Sequence, residues 1–93
     1  MRFVVVWSAQ ARAEVRALRS FDRPAVKRAV AELVLQADTE TTNRKRLREP
    51  LDVLPFPSWE VRVGRHRVLY SVEARTVTIL RVILKTGTTA ESL

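Results

Sequence analysis

Trp59-Glu60-Val61-Arg62-Val63-Gly64-Arg65-His66-Arg67-Val68-Leu69-Tyr70-Ser71-Val72 reads as a β-hairpin. Side chains of a strand alternate between two faces, so residues two apart share one. Val61, Val63, Val68, Tyr70 and Val72 fall on one face, and Glu60, Arg62, Arg67, Leu69 and Ser71 on the other. A tight turn at Gly64-Arg65 sets Arg62 directly opposite Arg67. Like charges so placed destabilise a sheet, which points to an anion between them. Phosphate is the obvious biological anion, because guanidinium groups grip it in a bidentate manner.

Upstream, Arg2 to Val6 reads as a strand rich in Phe and Val. Ser8 is placed to cap a helix from Ala9 to about Arg19, with Ala11, Val15 and Leu18 as its apolar stripe. Asp22 caps a second helix, whose inner face carries Val26, Ala29, Val30, Leu33 and Val34. From Ala37 to Ser58 no period is sustained, and Pro50, Pro55 and Pro57 argue for a long connection. It carries the basic cluster Arg44, Lys45, Arg46 and Arg48, which reads either as a solvated charge run or as a phosphate track. After the hairpin, Thr76 to about Lys85 forms a last strand. Leu80, Val82 and Leu84 share one face of it, and Ile79, Arg81, Ile83 and Lys85 the other. Residues 86–93 read as a frayed polar tail.

The order is β-α-α-β-β-β, an α+β fold. Two N-terminal helices pack on one face of a small, mostly antiparallel, twisted sheet, within one domain spanning residues 1–93. The other face is expected to be open and concave, presenting Arg62, Arg67, Arg81 and Lys85.

Composition narrows the function. The chain of 93 residues carries a formal charge of +7, and residues 44–85 hold ten bases against four acids. A small basic domain rich in arginine is expected to meet nucleic acid or an acidic protein. There is no cysteine, and His66 is the only histidine, so no metal or cofactor is expected. No stretch approaches the length of a membrane span, and the expected setting is the cytoplasm with no membrane partner.

The order of elements, with W-x-x-R-x-G-x-x-R-V-x-Y from Trp59 to Tyr70, resembles the RelE/ParE superfamily of bacterial toxins. The resemblance runs from Trp7-Ser8 to Lys85. It implies the toxin of a type II toxin–antitoxin system, held inactive by a cognate antitoxin whose C-terminal segment wraps it. RelE-like members are ribosome-dependent endoribonucleases that cut mRNA without a metal and so inhibit translation. By that likeness Arg67 is the central catalytic arginine, Arg62 the cation on the preceding strand, and Lys85 the basic residue ending the last strand, a candidate acid. Glu49-Pro50-Leu51 matches a segment of YoeB-like members whose glutamate acts as a base. The remaining RNA-binding candidates are Arg44, Lys45, Arg46, Arg48, Arg65 and Arg81.

Two features depart from the RNase pattern. No aromatic residue follows Lys85, and Glu60 stands where some members carry lysine. The alternatives are a ParE-like, non-catalytic inhibitor of DNA gyrase, or a decayed toxin that only binds its antitoxin. Individual residues also have plainer roles open to them. Arg67 can pair with Glu60, Glu49 can neutralise Arg48 or Lys45, and His66 can be a solvated turn residue. Tyr70 and Trp59 are expected in the core.

Overall fold

Ser8 anchors the first helix to the sheet. In the computed structural model, which describes residues 2–47 and 57–84, its backbone N–H donates to the Ile79 carbonyl at 2.9 Å. Its hydroxyl donates to the Leu80 carbonyl and accepts from the Ala11 N–H, each at 3.0 Å. One side chain therefore caps helix α1 (Ala9–Arg16) and joins it to strand β5 (Thr76–Leu84). The preceding strand β1 (Val4–Trp7) runs parallel to β5.

The first helix is shorter than expected and ends at Arg16 rather than near Arg19. The Arg23 guanidinium donates to the carbonyls of Val15 and Arg16 at 3.4 Å and of Leu18 at 2.8 Å. The Val15 carbonyl also accepts from the Leu18 N–H at 3.1 Å, and the planar cation, with several N–H groups, bridges the three carbonyls of this helix end. Helix α2 (Asp22–Gln36) does not take Asp22 as its cap as expected: Asp22 is its first residue, and Phe21 holds the cap position without a side-chain hydrogen bond. Its buried stripe is Val26, Val30 and Leu33, at the three- and four-residue spacing of one helix face. Burying Leu33 completely contributes about 1.5–3 kcal/mol.

Among the described residues the sheet has five strands, in the order β1-β5-β4-β3-β2. Strands β3 (Trp59–Val63) and β4 (His66–Glu73) form the expected hairpin. The short strand β2 (Arg44–Arg46) is an addition, taken from the segment expected to be an irregular connection. Its residues carry little strand propensity of their own, and pairing with β3 supplies what the local sequence does not show. All pairings except β1–β5 are antiparallel. The helices cover Val61, Val68, Tyr70, Val77, Ile79 and Val82, which form one core with Ala11, Val15 and the α2 stripe. No helix of the described residues is long and apolar enough to cross a membrane. Arg48, Glu49, Lys85 and the expected tail at 86–93 lie outside the described residues.

The alternation expected for the last strand breaks in its middle. Tyr70 pairs with Ile79 and Leu69 with Arg81, which leaves Leu80 as an extra residue. Ile79 therefore shares a face with Val82, not with Arg81. The bulge coincides with the end of β1 and with the two carbonyls held by Ser8. Beyond it, Glu14 takes over the exposed strand edge. Its carboxylate accepts from the Val82 N–H at 2.6 Å and from the Arg81 guanidinium at 2.7 Å. Burial acts to raise the Glu14 carboxyl, but the Arg81, Val82 and Gln10 hydrogen bonds outweigh it and hold it below the usual 4.5.

Two outcomes follow for the α1 clamp. Ser8→Ala should lower unfolding stability by about 1–2 kcal/mol in urea titrations, through loss of the cap and the Leu80 bond. Because folding depresses the Glu14 carboxyl, its contribution is present above the unfolded value and is lost as pH falls through the folded one. Glu14→Gln should therefore be less stable than the parent at neutral pH, with the gap closing below 4.5. A gap that stays constant on acidification would show that Glu14 ionisation is not linked to folding.

Candidate functional site

The hairpin closes through a two-residue turn. Val63 pairs with His66, and Gly64 between them takes a φ of +59°, a left-handed conformation that glycine adopts without a Cβ clash. His66 is thus already in the strand and buried, rather than a solvated turn residue, while Arg65 stays exposed. The same register pairs Arg62 with Arg67 across the strands, on the face away from the helices.

These two guanidinium groups converge on a carboxylate of the chain itself. Glu60 is 1% exposed, with Oε2 3.3 Å from Arg62 Nε and Oε1 3.3 Å from Arg67 Nη2. The anion expected between the two arginines, a phosphate by the sequence, is therefore in part an internal carboxylate. Glu60 Oε1 and Arg67 Nε are buried without a hydrogen-bond partner among the described residues. Arg62 keeps 46% of its side chain exposed and Arg67 25%, so both reach solvent. The face is not open throughout as expected, because Leu69, next to Glu60 in the register, is fully buried.

The other basic residues divide. Lys45 pairs across from Glu60, is exposed, and extends the cationic row along the same face. Arg46 faces the other way, opposite Trp59. It lines a cavity of about 670 Å³ with Asp38, Glu40, Leu47 and Trp59. Arg44 is 3% exposed and donates to the carbonyls of Gln36 and Thr39, each at 3.1 Å. It closes the C-terminal end of α2 and is not available to bind RNA. Arg81 belongs by register to the outer face beside Leu69, but its guanidinium is committed to Glu14 at 2.6 Å. The α1 carboxylate, distant in sequence, gave no signal of this pairing. Lys85, Glu49 and Arg48 lie outside the described residues.

The floor beneath the hairpin is well anchored. Tyr70 is fully buried and donates its hydroxyl to the Ala37 carbonyl at 2.8 Å, tying β4 to the end of α2. Burial pushes its phenol well above the usual value, so it stays neutral. Trp59 stacks on it with ring centroids 6.2 Å apart. Both aromatic residues are core, as expected from the sequence. Glu60, by contrast, was placed on the right face without its burial or its double pairing being foreseen. The signal was present, since it precedes Arg62 by two residues on one strand face.

Residues 5–85 match the sequence model of a family described as the ParE toxin of the type II toxin–antitoxin system parDE. No curated protein matches the chain. Among solved structures, the fold is similar to the archaeal RelE–RelB complex from Pyrococcus horikoshii, with a TM-score of 0.74 and 18% identity over 94% of this chain and 99% of that one. It is also similar to the RelBE2 complex from Mycobacterium tuberculosis, with a TM-score of 0.56 and 25% identity over 90% and 99%. A chain of the chromosomal ParDE system from P. aeruginosa has a TM-score of 0.65 and 14% identity over 89% and 96%. With the family match running through both helices, the hairpin and the last strand, the chain belongs to the ParE toxin family of type II toxin–antitoxin systems, within the RelE/ParE superfamily.

Proposed function

We propose that this toxin is a ribosome-dependent endoribonuclease that cuts mRNA, held inactive by a cognate antitoxin. The observation that carries the reading is the cross-strand pair of Arg62 and Arg67 on the face away from the helices, with both side chains partly exposed. Cleavage uses the 2′-hydroxyl of the RNA as nucleophile. A base takes its proton, the 2′-oxygen bonds to phosphorus, and the bond to the 5′-oxygen breaks as that oxygen gains a proton. Charge builds on the phosphoryl oxygens in between, and preorganised cations lower that barrier most effectively where little reorganisation is needed. Arg67 takes that role and Arg62 grips the same phosphate or its neighbour. Lys85 as acid and Glu49 as base are proposed from the resemblance alone. Glu60, the other carboxylate near the pair, is buried and already engaged by two cations, so it is not free to reach a 2′-hydroxyl.

Positioning by the ribosome would supply much of the rate, since orientation alone contributes several kcal/mol. The antitoxin partner follows from the family and from the RelE–RelB, RelBE2 and ParDE neighbours. Its docking segment is expected to be acidic, to complement a chain of net charge +7.

A second reading, a non-catalytic gyrase inhibitor, is favoured by the family match to ParE toxins and by the ParDE neighbour. Induced expression separates the two. The RNase reading expects translation arrest with new mRNA 5′ ends, and Arg67→Ala should reduce cutting by about 10²–10³-fold. Intact mRNA during arrest, with purified protein blocking DNA supercoiling, would replace it with the second reading.

A further inference from the structure

We propose that Glu60 is a built-in competitor for the phosphate, a buried counter-ion from which Arg62 and Arg67 must be drawn before they bind an external anion fully. The inference rests on the reading that these two arginines receive a phosphate. It adds a residue that sets how tightly they do so. Three observations carry it. Glu60 lies beneath both guanidinium groups at 1% exposure, with one carboxylate oxygen directed to each. Both contacts are 3.3 Å, whereas the Arg81–Glu14 pair of the same chain closes to 2.6 Å, and well-formed pairs of this kind lie at about 2.7–2.9 Å. The cluster also leaves bonding capacity unused, at Glu60 Oε1 and Arg67 Nε.

A carboxylate serving only to hold the two arginines in place would grip them at short range with both oxygens satisfied. The loose, split contact instead balances the two like charges while leaving them able to reorient. Of the cations in the cross-strand row through Glu60, Arg81 is held by Glu14, whereas Lys45 is exposed. With the carboxylate present the Arg62–Arg67 pair carries one net positive charge; without it, two. Removing the charge should therefore strengthen phosphate binding rather than weaken it.

The test measures binding, not cleavage. Parent and Glu60→Gln are titrated with a 2′-fluoro single-stranded RNA oligonucleotide, which lacks the nucleophilic hydroxyl, over a series of potassium chloride concentrations. Glu60→Gln should bind at least about threefold tighter, and its plot of log affinity against log salt should steepen by about 0.7, one added phosphate contact. The gain should vanish when Arg62→Ala and Arg67→Ala are added. Equal or weaker binding by folded Glu60→Gln, or no binding by either protein, overturns the proposal. If Glu60→Gln does not fold, side-chain NMR of the parent decides. The oligonucleotide should shift the Arg62 and Arg67 guanidinium signals together with the Glu60 carboxylate carbon, and an unmoved carboxylate signal overturns it. Tighter binding without mRNA cutting in cells would sink only the RNase reading, whereas cutting without tighter binding would sink only this one.

Discussion

The register of the β3–β4 hairpin is the constraint on which the rest of the structure depends. A two-residue turn at Gly64-Arg65 pairs Val63 with His66 and so fixes each pair behind it. Trp59 meets Tyr70, Val61 meets Val68, and Arg62 meets Arg67. A slip of one residue would turn every side chain of a strand to the opposite face. The valines would then face away from the helices and the arginines would enter the core, where an unpaired charge is costly. Core and cationic face are thus two sides of one decision. Tyr70 secures it from below through the Ala37 carbonyl, so the hairpin cannot shift without breaking a buried hydrogen bond.

Three of the seventeen basic residues hold the fold together. Arg23 closes the end of α1, Arg44 closes the end of α2, and Arg81 binds α1 to the last strand. A guanidinium suits these places because its planar fork reaches several carbonyls or both oxygens of a carboxylate. The exposed cations Lys45, Arg46 and Arg65 and the paired Arg62 and Arg67 do not form one continuous track. Alternation along β2 sends Lys45 to the Glu60 face and Arg46 to the Trp59 face. On the face away from the helices, the Arg62–Arg67 pair is where two guanidinium groups stand side by side.

Where local pattern and tertiary demand agreed, the fold could be read residue by residue. The α2 stripe, the Ser8 cap, the hairpin and the core roles of Trp59 and Tyr70 all rest on periodicity or turn chemistry contained in a few neighbouring residues. Strand β2 escaped notice because Arg44-Lys45-Arg46 has no apolar alternation, and its strand character comes from β3 alone. The bulge at Leu80 escaped because it answers to the end of β1 and to Ser8, both more than seventy residues away in sequence.

The sequence by itself determined the two periodicities, the turn and therefore the pairing of Arg62 with Arg67, because each depends on spacing within a few residues. Only the tertiary structure decided which charges are free. It buried Arg44 at a helix end, gave Arg81 to Glu14, and set Glu60 beneath the arginine pair. The physical reason is that ion pairing depends on distance in space. A chain can state which face a charge occupies, but it cannot state which distant group will neutralise it.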